Sequence, residues 1–440
     1  MRTKHTIKIK KRSQPEWLSW FIVVLPFLFG LLNTFLNLPW AVRYLIDVAW
    51  VLLVVIMLRY SRKIELKGTK GILLWTVLFF LYTLLVSVVE YQSGLYYLWG
   101  FRNNFRFYAA FFAFAVFLKA LDIDEFFCVL DKVFWLNTAI SLFQYFVLGL
   151  NQDILGGIFG VESGVNGYTN IFFSIILTRS LVMCFEKKES QKVCVSKFLT
   201  AFLIAALAEL KFFFVEAIMI IVLAALFTNF SWRKFWIVAG GIAAVFSFAA
   251  LLVVIFPNFA GFLSIDWFRE SAMSDKGYTS SGDLNRLTAI PRINELWLTH
   301  WSQRIFGMGL GNCDTSSFAI VNTPFFEQWG HMHYTWMSYA IMYLECGWVG
   351  LIFYFGFFVL VYLQIQKIEK RSEGIARSYC RISKIMAILC PLIAVYNSSL
   401  RAESAYMAYF VLAIPFVYAR SGKTKGIQMK KRENEIPLKG

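Results

Sequence analysis

Charged residues are scarce in this 440-residue chain: only 16% are Asp, Glu, Lys or Arg, whereas 58% are hydrophobic. That shortage argues against a soluble protein, and apolar runs of about 18 residues or more, each able to cross a bilayer core of about 30 Å, recur along the chain. The seven cysteines have no CxxC spacing, and no EF-hand or His/Cys cluster suggests a metal, which argues against disulfides and metals. We expect a polytopic membrane protein without a cofactor.

A net charge of +16 would suggest nucleic-acid binding in a soluble protein, but the 43 basic residues are not spread evenly. They cluster at every second connection between apolar runs and at both termini, at residues 1–16, 59–70, 187–197, 233–234, 367–384 and 420–439. By the positive-inside rule these segments face the cytoplasm. Topology and contact with anionic membrane lipids therefore explain the charge, and we expect no nucleic-acid partner.

Twelve apolar runs predict an all-α fold in which residues 1–440 form a single polytopic domain with both termini in the cytoplasm. The predicted spans lie near residues 17–38, 40–59, 71–89, 104–120, 127–149, 167–185, 197–210, 212–230, 235–256, 334–363, 383–398 and 404–420. The first run is too long for a signal peptide and has no cleavage site, so we expect it to be retained. The pair at 197–230 is also consistent with a helical hairpin whose tip lies below the outer surface.

One connection, residues 257–332, is much longer than the others. Its five basic and seven acidic residues lack the positive excess of a cytoplasmic loop, which agrees with the extracytoplasmic side assigned by the span count. A structureless loop of this length is unusual, and apolar residues at helical spacing predict a helix over residues 284–302. Long ordered loops on a rigid scaffold commonly carry function.

Basic residues on this outer side are not explained by topology, and a charge within lipid needs a partner or a wet cavity. The set comprises Arg102, Arg106, Lys211, Arg286, Arg292 and Arg401. Lys211 lies between two apolar runs with Glu209 and Glu216 nearby, which is consistent with a local salt bridge or with a ligand role. The i,i+4 spacing of Arg102 and Arg106 predicts two guanidinium groups on one face at the outer start of a helix. They would suit phosphate oxygens or lipid headgroups.

Two of the four histidines, His331 and His333, directly precede the predicted span at 334–363. A neutral imidazole can accept a proton from a hydroxyl group near neutral pH, so either residue is a candidate base, although interfacial histidines also have structural roles. The neighbouring Trp329, Trp336 and Tyr339 are consistent with an interfacial aromatic belt or with faces for stacking sugars.

The segments NRLTAIPRINELWLTHWSQRIFGMGLGN and HMHYTWMSYAIMYLECGWVGL, in this order, resemble the shared region of the O-antigen ligase and O-antigen/capsule polymerase family. That family has an arginine, a Gly-x-Gly-x-Gly-like turn, a histidine and a helix that closes with Glu-x-Gly-x-x-Gly. The matching positions are Arg286, Gly307, Gly309, Gly311, His331 or His333, Glu345, Gly347 and Gly350. The LAELKFFF segment around Lys211 also looks like the family's basic residue at the tip of a short hairpin.

The match departs from the family in two places. Met332 and Tyr334 follow the histidines where the family has Asn, and Glu345 lies twelve residues after His333, about one helical turn further than usual. Which histidine takes the family role therefore stays open at the level of sequence.

The resemblance implies a GT-C-like membrane glycosyltransferase of the bacterial cytoplasmic (inner) membrane that needs neither nucleotide sugar nor metal. Its donor and acceptor would be oligosaccharides linked to undecaprenyl diphosphate, with membrane lipids, a flippase and a chain-length regulator as further partners. Arg286, Lys211 and Arg102, Arg106 or Arg292 would hold the diphosphate, and His333 or His331 would be the base. Arg401 would be a further residue that binds the diphosphate or the glycan. We expect a repeat-unit polymerase; the alternatives are a ligase of the same family and, from another class, a transporter or flippase. Arg179, in the sixth predicted span, would support the transporter.

Overall fold

The computed structural model describes residues 12–36, 38–60, 68–150, 154–228, 277–279, 282–316 and 318–434, with scattered positions between 232 and 250. Apart from one isolated β-bridge between Tyr278 and Leu284, the regular elements of these residues are helical, which confirms the all-α expectation for them. Most of the span predicted at 235–256 and the first part of the long loop, residues 257–276, lie outside the described residues.

The described helices are numbered here in chain order. They are α1 (Gln14–Leu36), α2 (Leu45–Arg59), α3 (Lys70–Val89), α4 (Gly94–Phe117), α5 (Ala120–Phe146), α6 (Asn166–Phe185), α7 (Gln191–Leu207), α8 (Lys211–Phe227), α9 (Ala289–Leu296), α10 (Trp301–Phe306), α11 (Pro324–Trp329), α12 (Ser338–Glu369), α13 (Gly374–Tyr396) and α14 (Ala405–Asn434). Within the described residues, seven helices are long and apolar enough to cross a membrane: α1, α2, α3, α5, α6, α12 and α13. The chain is therefore a multi-pass membrane protein, and the count of twelve spans stays a prediction.

Burial separates central from peripheral helices. In the apolar stretches of α6 and α13, 83% and 78% of the residues are buried within the protein, against 17% and 28% in α2 and α3. The exposed side chains of α2 and α3 are mainly Leu and Val, which suit contact with lipid tails. The 20 residues of α3 span about 30 Å, the thickness of the hydrocarbon core.

Helix α4 differs from the span predicted at 104–120, because it begins at Gly94. Arg102 and Arg106 consequently lie inside the helix, and the prediction that they mark its start is wrong. Both side chains face other helices of the bundle: the Arg106 side chain is 2% exposed and that of Arg102 is 18% exposed.

The helix predicted over residues 284–302 is replaced by two short helices, α9 and α10. Residues 284 and 285 are engaged elsewhere, since the Leu284 N–H donates to the Met332 carbonyl at 3.1 Å and the Asn285 N–H donates to the Gly277 carbonyl at 3.1 Å. The second break falls at His300, which caps α10 together with Gln303. Hydrogen bonds between distant segments thus override the local helical spacing.

Glycines allow this loop to pack closely on the spans. Gly307 has a φ of 81°, and a Cβ atom there would overlap the backbone of Glu345 in α12. Helix α12 is kinked at Gly347, whose φ is 60° and which lies against the backbone of Ile305. Gly307 and Gly347 therefore allow α10 and α12 to pack closely against each other. This agrees with the turn expected at the glycine motif.

Candidate active site

A cavity of about 800 Å³ is lined by several helix ends together with residues of the long loop. Its walls include the start of α6, the α7–α8 turn, four residues of the long loop, the turns before α12, and the α13–α14 connection; the loop residues are Thr279, Asp283, Leu284 and Arg286. Three residues predicted from the sequence to bind or react with substrate line it together: Lys211, Arg286 and His333. The volume lies within the range usual for ligand pockets.

Lys211 reaches the cavity because a three-residue turn joins α7 to α8. Glu209 in this turn has a φ of 50°, and the Lys211 N–H donates to the Glu209 carbonyl at 2.8 Å, so Lys211 becomes the first residue of α8. The expected partner Glu216 lies further along α8, where its carboxylate accepts hydrogen bonds from Asn170 at 2.9 Å and from Ser174 at 2.6 Å.

Arg286 is held by the end of α13. Its Nη1 donates to the carbonyl oxygen of Tyr396, and its guanidinium lies 4.3 Å from the centre of the Tyr396 ring, which also stacks on Phe212. Among the residues that the structure describes, no carboxylate lies within 4.0 Å of the Arg286 guanidinium nitrogens. Arg286 is thus a positioned cation that is not in contact with any acid of the described residues.

His333 forms a pair with Asp283 in the cavity wall. The imidazole Nδ1 contacts the Asp283 Oδ1, and the ring stacks on Trp336 with centroids 3.9 Å apart. The His333 backbone is left-handed, with a φ of 54°, which an ordinary residue adopts at some cost in free energy. Glu209 and His333, two of the four described non-glycine residues with positive φ, both line the cavity.

His331 lies outside the cavity, although it is only two residues from His333. It is exposed, and its nearest ring contact is Trp329, with centroids 6.2 Å apart. Of the two histidines that the sequence leaves as candidate bases, His333 lines the cavity and His331 does not.

Arg102, Arg106 and Arg401 lie in a buried ion-pair network. Arg102 donates to both oxygens of Asp47 at 2.8–3.2 Å, Arg106 contacts Glu403 at 3.1 Å, and Arg401 contacts Asp314 at 2.7 Å. None of the three arginines lines the cavity. Their predicted role in binding the substrate is not supported by this placement, because each is paired with a neighbouring carboxylate away from the cavity lining.

Arg292 also lies apart from the cavity lining, on α9. It pairs with Glu295 one helical turn away and packs 4.4 Å over the ring of Tyr278. Arg179, the suggested charge for a transporter, contacts Asp131 at 2.9 Å towards the other end of α6.

Arg43 is a cavity residue that the sequence reasoning missed. It lies in a short 3₁₀ turn before α2, pairs with Glu403 and donates to the Tyr168 hydroxyl at 3.2 Å. Its sequence signal was a charged residue inside the predicted span at 40–59. Asp283 was missed as well, because an acidic residue in a polar loop carries no signal until its partner fifty positions away is known.

Two acids near Arg43 have perturbed pKa values. Burial alone would raise the pKa of Glu403, but the positive charges of Arg106 and Arg43 outweigh that effect and hold the pKa well below its ordinary value. The pKa of Glu162 is raised instead, because the effect of its partial burial outweighs the attraction of the Arg43 charge. Glu403 is therefore a charged structural partner for the arginines.

These features define a multi-pass helical membrane protein with a polar cavity in which cations lie beside a carboxylate–histidine pair. The donor set suits an anionic ligand, and the histidine suits proton transfer from a hydroxyl group. Among the described residues, no group of three or more His, Cys, Asp or Glu side chains is arranged to hold a metal ion. No protein-family model matches the chain, and no curated protein matches it.

Proposed function

We propose that this chain is a polysaccharide repeat-unit polymerase of the bacterial cytoplasmic membrane. It transfers a glycan from an undecaprenyl-diphosphate donor to the non-reducing end of a second lipid-linked glycan. The observation that carries the proposal is the shared cavity of Lys211, Arg286, His333 and Asp283. The motif order described above supports the same assignment.

Lys211 and Arg286 bind the donor diphosphate, and Arg43 also lines the cavity. Cations offset the negative charge that grows on the leaving diphosphate as the anomeric bond breaks, and in a site shielded from water this effect is strong. Arg286 suits this role because a backbone carbonyl and an aromatic ring hold it in place while no carboxylate contacts it among the described residues.

His333 acts as the base for the acceptor. The acceptor hydroxyl oxygen attacks the anomeric carbon and forms the new glycosidic bond, while the bond from that carbon to the diphosphate oxygen breaks. The electron pair leaves with undecaprenyl diphosphate, and the hydroxyl proton passes to the imidazole of His333. Attack opposite to the leaving group inverts the anomeric configuration.

The proposal is tested by complementation of a strain that lacks this chain. Arg286→Ala and His333→Ala should each abolish long-chain glycan while the protein still reaches the membrane. The matched controls are Arg292→Ala and His331→Ala, because each removes the same kind of side chain from the same loop but outside the cavity lining. Both controls should keep the wild-type ladder of repeats.

Wild-type chain lengths in both cavity variants would overturn the site assignment. Transfer of a preformed glycan to another acceptor, without a ladder, would identify a ligase instead. Movement of lipid-linked sugar across the membrane without chain growth would identify a transporter.

A further inference from the structure

We propose that Asp283 is a positioning residue for His333: its carboxylate fixes the imidazole tautomer and ring orientation required for proton transfer. The inference rests on the proposed function and adds to it a residue that the motif order does not include. Asp283 contacts His333 Nδ1 through Oδ1. A carboxylate accepts but does not donate, so the neutral ring carries its proton on Nδ1 and presents the Nε2 lone pair to the acceptor hydroxyl.

The Asp283 side chain is braced by its own turn. The Asp283 N–H donates to the Thr279 hydroxyl at 3.1 Å, that hydroxyl lies 3.3 Å from Asp283 Oδ2, and the Thr279 N–H donates to the Asp283 carbonyl at 2.8 Å. Both oxygens of the Asp283 carboxylate therefore have a partner, Oδ2 in Thr279 and Oδ1 in His333.

The His333 ring is also held in place, by a stacked aromatic ring and by its own backbone conformation. Trp336 covers one face of the ring at 3.9 Å with an interplanar angle of 16°, and the left-handed backbone of His333 sets the direction of the side chain. With Nδ1 on Asp283 and one face on Trp336, rotation of the ring would break two contacts at once. Such preorganisation is what a catalytic base requires.

Two further contacts join the segment of Asp283 to the segment of His333. The Leu284 N–H donates to the Met332 carbonyl at 3.1 Å, and the Tyr339 hydroxyl donates to the carbonyl of Arg286. Asp283, Arg286 and His333 therefore lie in two backbone segments that are hydrogen-bonded to each other. These bonds help to fix the distance between Arg286, which binds the diphosphate, and the base His333.

The carboxylate also stabilises the charge that appears during the reaction. When His333 takes the acceptor proton it becomes an imidazolium, and Asp283 is in direct contact with it. The other charged groups that line the cavity are Arg43 and Glu403, which pair with each other, and Glu162, Glu209, Lys211 and Arg286. His331 has no carboxylate contact among the described residues, which distinguishes the two histidines.

The test compares Asp283 variants in proteoliposomes, with the lipid-linked saccharide extracted from cells that lack this chain as substrate. Asp283→Asn preserves shape but removes the charge and can leave the wrong tautomer. We expect kcat to fall by about 10²-fold to 10⁴-fold with KM changed by less than about threefold, and Asp283→Glu to recover part of the loss. Glu327→Gln, an exposed acid of the same loop, is the control and should match wild type.

Binding of undecaprenyl diphosphate alone shows whether the cavity stays intact. Asp283→Asn should bind it as wild type does, since Lys211 and Arg286 are unchanged. A normal kcat in Asp283→Asn, or a loss of undecaprenyl diphosphate binding together with kcat, would overturn the positioning role. Failure of the polymerase proposal appears separately, as absence of chain growth with the wild-type protein.

Discussion

Glu403 offers a quantitative test of the buried ion-pair network. Its carboxylate contacts Arg106 at 3.1 Å, pairs with Arg43 and accepts from the Tyr168 hydroxyl at 2.6 Å. Glu403→Gln removes the charge and leaves the Arg106 guanidinium, whose side chain is 2% exposed, with Asp47 at 3.7 Å as its remaining acid. Breaking a buried ion pair lowers the free energy of unfolding by about 3–5 kcal/mol. Because Arg106 keeps its contact with Asp47, we expect a loss at the lower end, about 3 kcal/mol.

The control for this variant is Glu295→Gln. Glu295 pairs with Arg292 within one helix, its side chain is 60% exposed, and the expected loss is about 0.3 kcal/mol. Thermal unfolding in detergent should place the midpoint of Glu403→Gln several degrees below that of Glu295→Gln. Equal midpoints would refute the view that the arginines around Glu403 are a structural framework.

The pH dependence of this effect has a definite sign. Because the pKa of Glu403 is held below its ordinary value of 4.5, the stabilisation is fully present above that pH and is lost as the pH falls towards the lower folded-state pKa. The difference between wild type and Glu403→Gln should therefore be constant between about pH 6 and about pH 8 and shrink below about pH 4.5. A difference that grows with acidification would contradict the assignment.

Two further predictions concern the loop and the cations. Gly307→Ala should reduce expression and thermal stability, because the new Cβ overlaps the backbone of Glu345 at a φ of 81°, whereas Gly94→Ala, with open space around its Cβ, should behave as wild type. Lys211→Met and Arg286→Met should each weaken binding of undecaprenyl diphosphate by about tenfold, since a charge-assisted hydrogen bond contributes about 1.5 kcal/mol, while Arg292→Met should not. Unchanged binding in both cavity variants would remove the cations from the donor site.

Helices and some site residues were predictable from sequence because the signals are local. A run of apolar residues specifies a span wherever it lies, and Lys211 stands out because a charge between two such runs needs a partner or water. The order of short motifs pointed to Arg286 and to His331 or His333, and the structure brings Arg286, His333 and Lys211 to one cavity.

Pairing between distant residues was not predictable. Arg102 and Arg106 have the spacing of a phosphate clamp, but their partners Asp47 and Glu403 come from other parts of the chain, and only the fold brings them into contact. The same reason hides Asp283, which meets His333 through a loop whose backbone bonds replace the helix that its apolar spacing predicts.

We propose that the protein grows a glycan chain from lipid-linked donors at the cavity of Lys211, Arg286 and His333. The most direct measurement incubates the purified chain in proteoliposomes with the lipid-linked saccharide extracted from cells that lack it, in the presence of a metal chelator and without nucleotide sugar. We expect a ladder of saccharides and release of one undecaprenyl diphosphate for each bond formed. Unchanged saccharide, with no undecaprenyl diphosphate released by an intact protein, would contradict it.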